Sequence, residues 1–96
     1  MRWLLSVIAI VGLAPNTVLL VNNTGLAVAR FEIDSRNFDT KDSEETQVLI
    51  SVTPTEHDLK VVFRGGAVVE WPHFDFKGVR EIIFERKKNQ IEAHAE

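Results

Sequence analysis

Apolar positions fall along this chain in two patterns: one unbroken run at the N-terminus, then short alternating runs separated by turn residues. The second pattern predicts an all-β domain, because strands bounded by turns at short intervals are the mark of a sandwich or barrel. Residues 17–21 predict a first strand, stopped by Asn22-Asn23-Thr24-Gly25. Asn tolerates left-handed backbone and Gly favours it, so these four residues read as a turn. Asn22-Asn23-Thr24 also has the form of a glycosylation acceptor, although turn chemistry alone accounts for it. Residues 26–34 alternate, with Ala27, Ala29, Phe31 and Ile33 on one face and Arg30, Glu32 and Asp34 on the other. The polar residues 35–45 read as loop, and the acidic cluster within them as solvated surface. A third strand is expected at 47–53, ended by Pro54.

The hairpin that follows is the most closely specified part of the chain. Residues 57–63 and 67–71 are joined through Arg64-Gly65-Gly66. A two-residue Gly-Gly loop places Glu70 on the face of Val61 and Phe63, whereas a three-residue loop with Gly66 left-handed pairs Phe63 with Ala67. A slip of one residue inverts the faces, so the register that groups apolar residues is expected to win. Val61 then faces Val69, Leu59 faces Trp71, and Lys60 lies opposite Glu70. Pro72 is expected to end ladder pairing, leaving Trp71-Pro72-His73-Phe74-Asp75-Phe76-Lys77-Gly78 as an aromatic corner. Residues 79–85 predict the last strand, with Ile82 and Phe84 inward. Arg86-Lys87-Lys88-Asn89 reads as a basic turn, and the tail to Glu96 as polar and frayed, with Ile91 able to continue a strand.

The N-terminal run changes the picture by saying where the protein goes. Arg2 supplies one positive charge, residues 3–14 are uncharged, and Gly12-Leu13-Ala14 ends the run with small residues. This is the layout of an export signal occupying residues 1–14, with a single domain over 15–96. Pro15 after the cut hinders signal peptidase, so an uncleaved anchor is the alternative. Residues 3–14 are shorter than the roughly 20 apolar residues of a spanning helix; a tether through residues 3–21 has the length but crosses Pro15-Asn16-Thr17. In a further alternative, residues 3–13 belong to the fold of a soluble cytoplasmic interaction or inhibitor module.

Composition narrows the chemistry. With 96 residues the chain makes one domain with a thin core. A formal charge of −3 argues against a nucleic-acid partner, which wants a basic face. The absence of cysteine removes thiol catalysis and cysteine-ligated metal. No Gly-x-Ser-x-Gly surrounds a serine, the paired Glu44-Glu45 lies in a loop, and Gly65-Gly66 is a turn without the lysine of a phosphate loop. No cofactor is expected. The hairpin register places His57 opposite His73, and two facing imidazoles can share zinc or copper, so this pair is the candidate metal site. Phe74 and Phe76 lie on the corner after Pro72, and one of them is the candidate for an exposed contact.

Several of these residues also carry a resemblance. The stretch His57-Asp58-Leu59-Lys60-Val61-Val62-Phe63-Arg64-Gly65-Gly66, then Glu70-Trp71, Asp75-Phe76-Lys77 and Ile82-Ile83-Phe84, resembles a group of small exported bacterial β-sandwich proteins of unestablished function. Short members of that group are sometimes mislabelled argininosuccinate lyase. The likeness covers most of residues 17–85 and includes an Asn-x-(Ser/Thr)-Gly turn after the first strand, here Asn22-Asn23-Thr24-Gly25. Many members carry two cysteines, apparently disulfide-bonded, near the positions of Thr55 and Lys77, and this chain has neither. The resemblance implies the fold and export and supplies no catalytic residues.

Together these observations predict a small antiparallel β-sandwich of six or seven strands behind a signal or anchor. The expected function is non-enzymatic contact with an unidentified protein or cell-envelope partner, in the periplasm, outside the cell, or at a membrane. The metal-binding and cytoplasmic-module readings are the alternatives. Residues 17–21, as a hydrophobic edge, are expected to be able to pair with a second copy.

Overall fold

In the computed structural model, residues 14–39 and 47–96 are described. The signal or anchor segment 1–13, and the acidic residues 40–46, lie outside the described residues. The described chain is all β: β1 (Asn16–Asn23), β2 (Val28–Ile33), β3 (Arg36–Asp39), β4 (Gln47–Val52), β5 (Glu56–Phe63), β6 (Val68–Asp75), β7 (Glu81–Lys87) and β8 (Gln90–Ala95). They form two four-stranded sheets, ordered β4-β1-β7-β8 and β3-β2-β5-β6. No described helix is long and apolar enough to cross a membrane.

The core lies between the sheets and follows from strict alternation. In β1, Val18 and Leu20 are fully buried while Thr17 is exposed. In β5, Leu59, Val61 and Phe63 face inward, and in β7 so do Ile82 and Phe84. Phe84 bridges the layers, with its ring centroid 5.4 Å from Phe31 and 5.5 Å from half-buried Trp71. These offset geometries suit the quadrupoles of the rings.

The expected β5–β6 hairpin is present. Leu59 pairs with Trp71, Lys60 with Glu70 and Val61 with Val69. The Phe63 amide donates to the Ala67 carbonyl at 2.9 Å, and Gly66 has φ +100°.

Four local expectations are corrected, each for a physical reason. Residues 36–39 are a strand, because Asp34 and Ser35 both take positive φ (51° and 70°) and make a tight two-residue hairpin turn despite lacking glycine. The tail is a strand, β8, whose end is tied down: the Arg80 amide donates to the Glu96 carbonyl at 2.8 Å and the Glu96 amide to the Glu81 carbonyl at 2.8 Å. In β2 a bulge between Val28 and Arg30 shifts the parity, so Val28 joins Phe31 and Ile33 in the core. Finally, residues 17–21 are not an edge. β1 is an interior strand, antiparallel to β4 and parallel to β7, so the sheets are not purely antiparallel.

The Asn22 turn forms as expected. Asn22 Nδ2 donates to the Leu26 carbonyl (2.8 Å), and Asn22 Oδ1 accepts from the Thr24 amide (3.1 Å) and hydroxyl (2.6 Å). Asn22 and Thr24 are buried, so the nitrogen that glycosylation would modify is spent inside the turn.

Candidate functional site

Two features stand out, one chemical and one a surface. The chemical one begins at a bulge. Pro72 does not end β6: Pro72 and His73 together oppose Asp58, and pairing resumes with His57 opposite Phe74 and Glu56 opposite Asp75. Proline, with no N–H to donate, is at home on an edge strand at such a bulge. His73 takes φ +55°, and its amide donates to Asp58 Oδ1 at 3.1 Å. The extra residue moves His73 one place along the ladder, which corrects the expected pairing of His57 with His73.

His57 shares the inward parity of Leu59 and ends up capping the core, its ring edge-to-face with Phe76 at 5.4 Å. Its Nδ1 meets Asp34 Oδ2 at 2.5 Å. Its Nε2 lies 2.9 Å from Thr53 Oγ1, 3.0 Å from Thr55 Oγ1 and 3.0 Å from the Thr53 carbonyl. Asp34 is held in turn by the Asp58 amide, which donates to its Oδ1 at 2.8 Å, while the Asp34 amide donates to the Asp58 carbonyl at 3.0 Å. The hydrogen bond from His57 comes first, and that from the Asp58 amide second, in holding the Asp34 carboxyl below its ordinary value of 3.8.

Acid, imidazole and hydroxyl in a row have the composition of a catalytic relay. Here both ring nitrogens are engaged within the fold, and the ring is only 13% exposed. The cluster clips the β2–β3 turn to the Thr53-Pro54-Thr55 turn. His73, by contrast, is exposed, with its Nδ1 3.7 Å from Glu56 Oε1. The structure therefore does not bring the two candidate metal ligands together. Among the described residues, no three His, Asp or Glu side chains converge as a metal site requires.

The corner phenylalanines are both drawn inward. Phe76 is fully buried and Phe74 half-buried, with ring centroids 5.3 Å apart. The Phe76 amide donates to the Thr55 carbonyl at 3.1 Å, folding the chain back under the sandwich. Phe76 thus closes the core beside His57 and offers no exposed contact.

The exposed apolar surface lies elsewhere, on the first sheet. Leu49 on β4 is 66% exposed, the most open of the large hydrophobic residues among those described. It pairs with Leu19 of β1, and Val21 pairs with Ile83 of β7. All four sit on the outer face of the first sheet, Leu49 exposed and Leu19, Val21 and Ile83 half-buried, so an apolar stripe crosses three strands there. Towards β8 the stripe gives way to charge, with Glu92 Oε1 3.1 Å from His94 Nε2 and 3.9 Å from Lys87 Nζ. The outer face of the other sheet is also charged, with Arg30 Nε 2.9 Å from Glu32 and Lys60 Nζ 3.3 Å from Glu70. Exposed Val68 stands on that second face, paired with Val62 of β5, whose next neighbour across the sheet is the charged Arg30. Between the sheets, beside β4, an open groove of about 450 Å³ is lined by Ile33, Arg36, Phe38, Ser51, Thr53 and His57, among others. Arg36 lies over the Phe38 ring at 5.3 Å, placing a cation at the groove's rim.

Comparison with known protein families, with characterised proteins and with solved structures finds no match to this chain.

Proposed function

We propose that this protein is a non-enzymatic β-sandwich domain, exported or tethered at a membrane through its N-terminal segment, that acts by contact with a protein or envelope surface. The observation that carries the contact reading is the stripe of Leu49, Leu19, Val21 and Ile83 on the outer face of the first sheet. Apolar side chains grouped on one face and rimmed by the charged residues Glu92 and His94 have the make-up of a docking surface. The Asp34–His57 cluster supports the reading indirectly, since its hydrogen bonds hold two turns together. The export half rests on the charge at Arg2 and the uncharged run to Ala14, together with the resemblance to small exported sandwich proteins.

Two measurements test it. The intact mass and cell fraction of the protein in a bacterial host should give a species shortened near residue 14 in the periplasm, or a full-length one in the membrane. A full-length species soluble in the cytoplasm would overturn export and make residues 3–13 part of the fold. For contact, a photo-crosslinking residue at position 49 should give adducts that the same residue at position 60 does not. Equal yields at the two positions would sink the contact reading.

A further inference from the structure

We propose that strand β4 is a self-pairing edge, through which two copies join their first sheets into one continuous sheet. The inference rests on the contact reading and names its partner. Open edges expose unpaired backbone groups, and proteins blunt them with charge, proline, bulges or short length. Three of the four edges among the described residues are blunted in this way. β3 is four residues long and carries Arg36; β6 carries Pro72 and the bulge opposite Asp58; β8 carries Glu92, whose Oε1 lies 3.1 Å from His94 Nε2. β4, with the sequence Gln-Val-Leu-Ile-Ser-Val, has no charge and no proline, and its register with β1 runs unbroken from Gln47 to Val52.

The strand also complements itself. Gln47, Leu49 and Ser51 are exposed on one face, while Val48, Ile50 and Val52 face the core. An antiparallel pairing of two copies about a two-fold axis at Leu49 sets Leu49 against Leu49, Gln47 against Ser51, and Val48 against Ile50. Every pair matches apolar with apolar or polar with polar, as an isologous contact requires. No like charges meet, although each chain has a net charge of −3. The two apolar stripes merge across the axis, covering Leu49. Five ladder residues from each copy, Gln47 to Ser51, make a small interface beside the roughly 1,200–2,000 Å² of a stable complex, so the dimer exchanges with monomer.

Sedimentation equilibrium of the full chain over a range of concentrations tests the proposal, with circular dichroism checking that each variant folds. The wild type should show a reversible monomer–dimer equilibrium, which Leu49→Lys weakens. The stated register makes a sharper demand. The cross-strand neighbours of positions 47 and 51 within one copy are the uncharged Val21 and Thr17, so in this register charges placed there face those of the second copy. Q47K with S51K sets lysine against lysine twice and should weaken the dimer about tenfold or more, whereas Q47K with S51E should restore or tighten it. A wild type that stays monomeric at its highest soluble concentration overturns self-pairing, as does a dimer indifferent to these charges. In either case adducts between position 49 and other proteins would leave the contact reading standing; without them it falls too.

Discussion

Asp34 occupies a backbone position that most side chains disfavour, with φ near 51°, and its carboxylate is bonded from two sides. It receives His57 Nδ1 and the Asp58 amide, so the turn's strain is offset by two bonds to the next sheet strand. Folding favours the ionised carboxyl, whose folded-state value lies below 3.8. Its contribution is therefore present above about pH 4 and lost as pH falls through the lowered folded-state value. Asp34→Asn should lower stability at neutral pH and flatten the acid limb of the stability curve, as read by urea unfolding between pH 2 and pH 7. An unchanged acid limb would mean that other carboxylates govern it. The two adjacent glycines make a second comparison. Neither would bring an added Cβ within 4 Å of another group, but only Gly66, at φ +100°, needs glycine's conformational freedom. Gly66→Ala should cost about 1–3 kcal/mol while Gly65→Ala is close to neutral. Equal losses by thermal melting would contradict the three-residue loop.

At the scale of elements, what could be read from the chain depended on whether a local pattern left one answer. The β5–β6 hairpin was legible because two glycines and the parity of Leu59, Val61 and Phe63 admit a single register. β3 was not, since Arg36-Asn37-Phe38-Asp39 offers one apolar residue and its turn has no glycine. β8 was hidden by the polar positions of an outer strand, the side chains it packs against the core being only Ile91 and Ala93. The Asp34–His57 contact had no signal at all: the partners are 23 residues apart, and the β2–β5 pairing brings them together. Removing residues 90–96 tests the tail. A frayed tail would be dispensable, but β8 shields the edge of β7, so the truncated chain should lose cooperative unfolding and bind a hydrophobic dye. Wild-type behaviour would mean that β7 is stable as an edge.

Taken whole, the molecule is a thin sandwich whose open end is closed by one aromatic plug. Phe76 lies outside any strand yet is fully buried, touching Phe74 and His57. Phe76→Ala should cost about 3–5 kcal/mol, a large part of the roughly 5–15 kcal/mol that keeps a small domain folded. Thermal denaturation should find the variant largely unfolded near body temperature, and a small shift would show that the end can collapse around the gap. The parallel pairing of β1 with β7 has a consequence for the order of synthesis. Leu19 to Asn23 are made early, yet their partners Glu81 to Glu85 emerge some sixty residues later. Until then the central strand of the first sheet lacks one neighbour, and the core it shares with Ile82 and Phe84 stays open. A chain wired this way can assemble its second sheet, complete in sequence by Asp75, before its first, which closes only when β7 has been made.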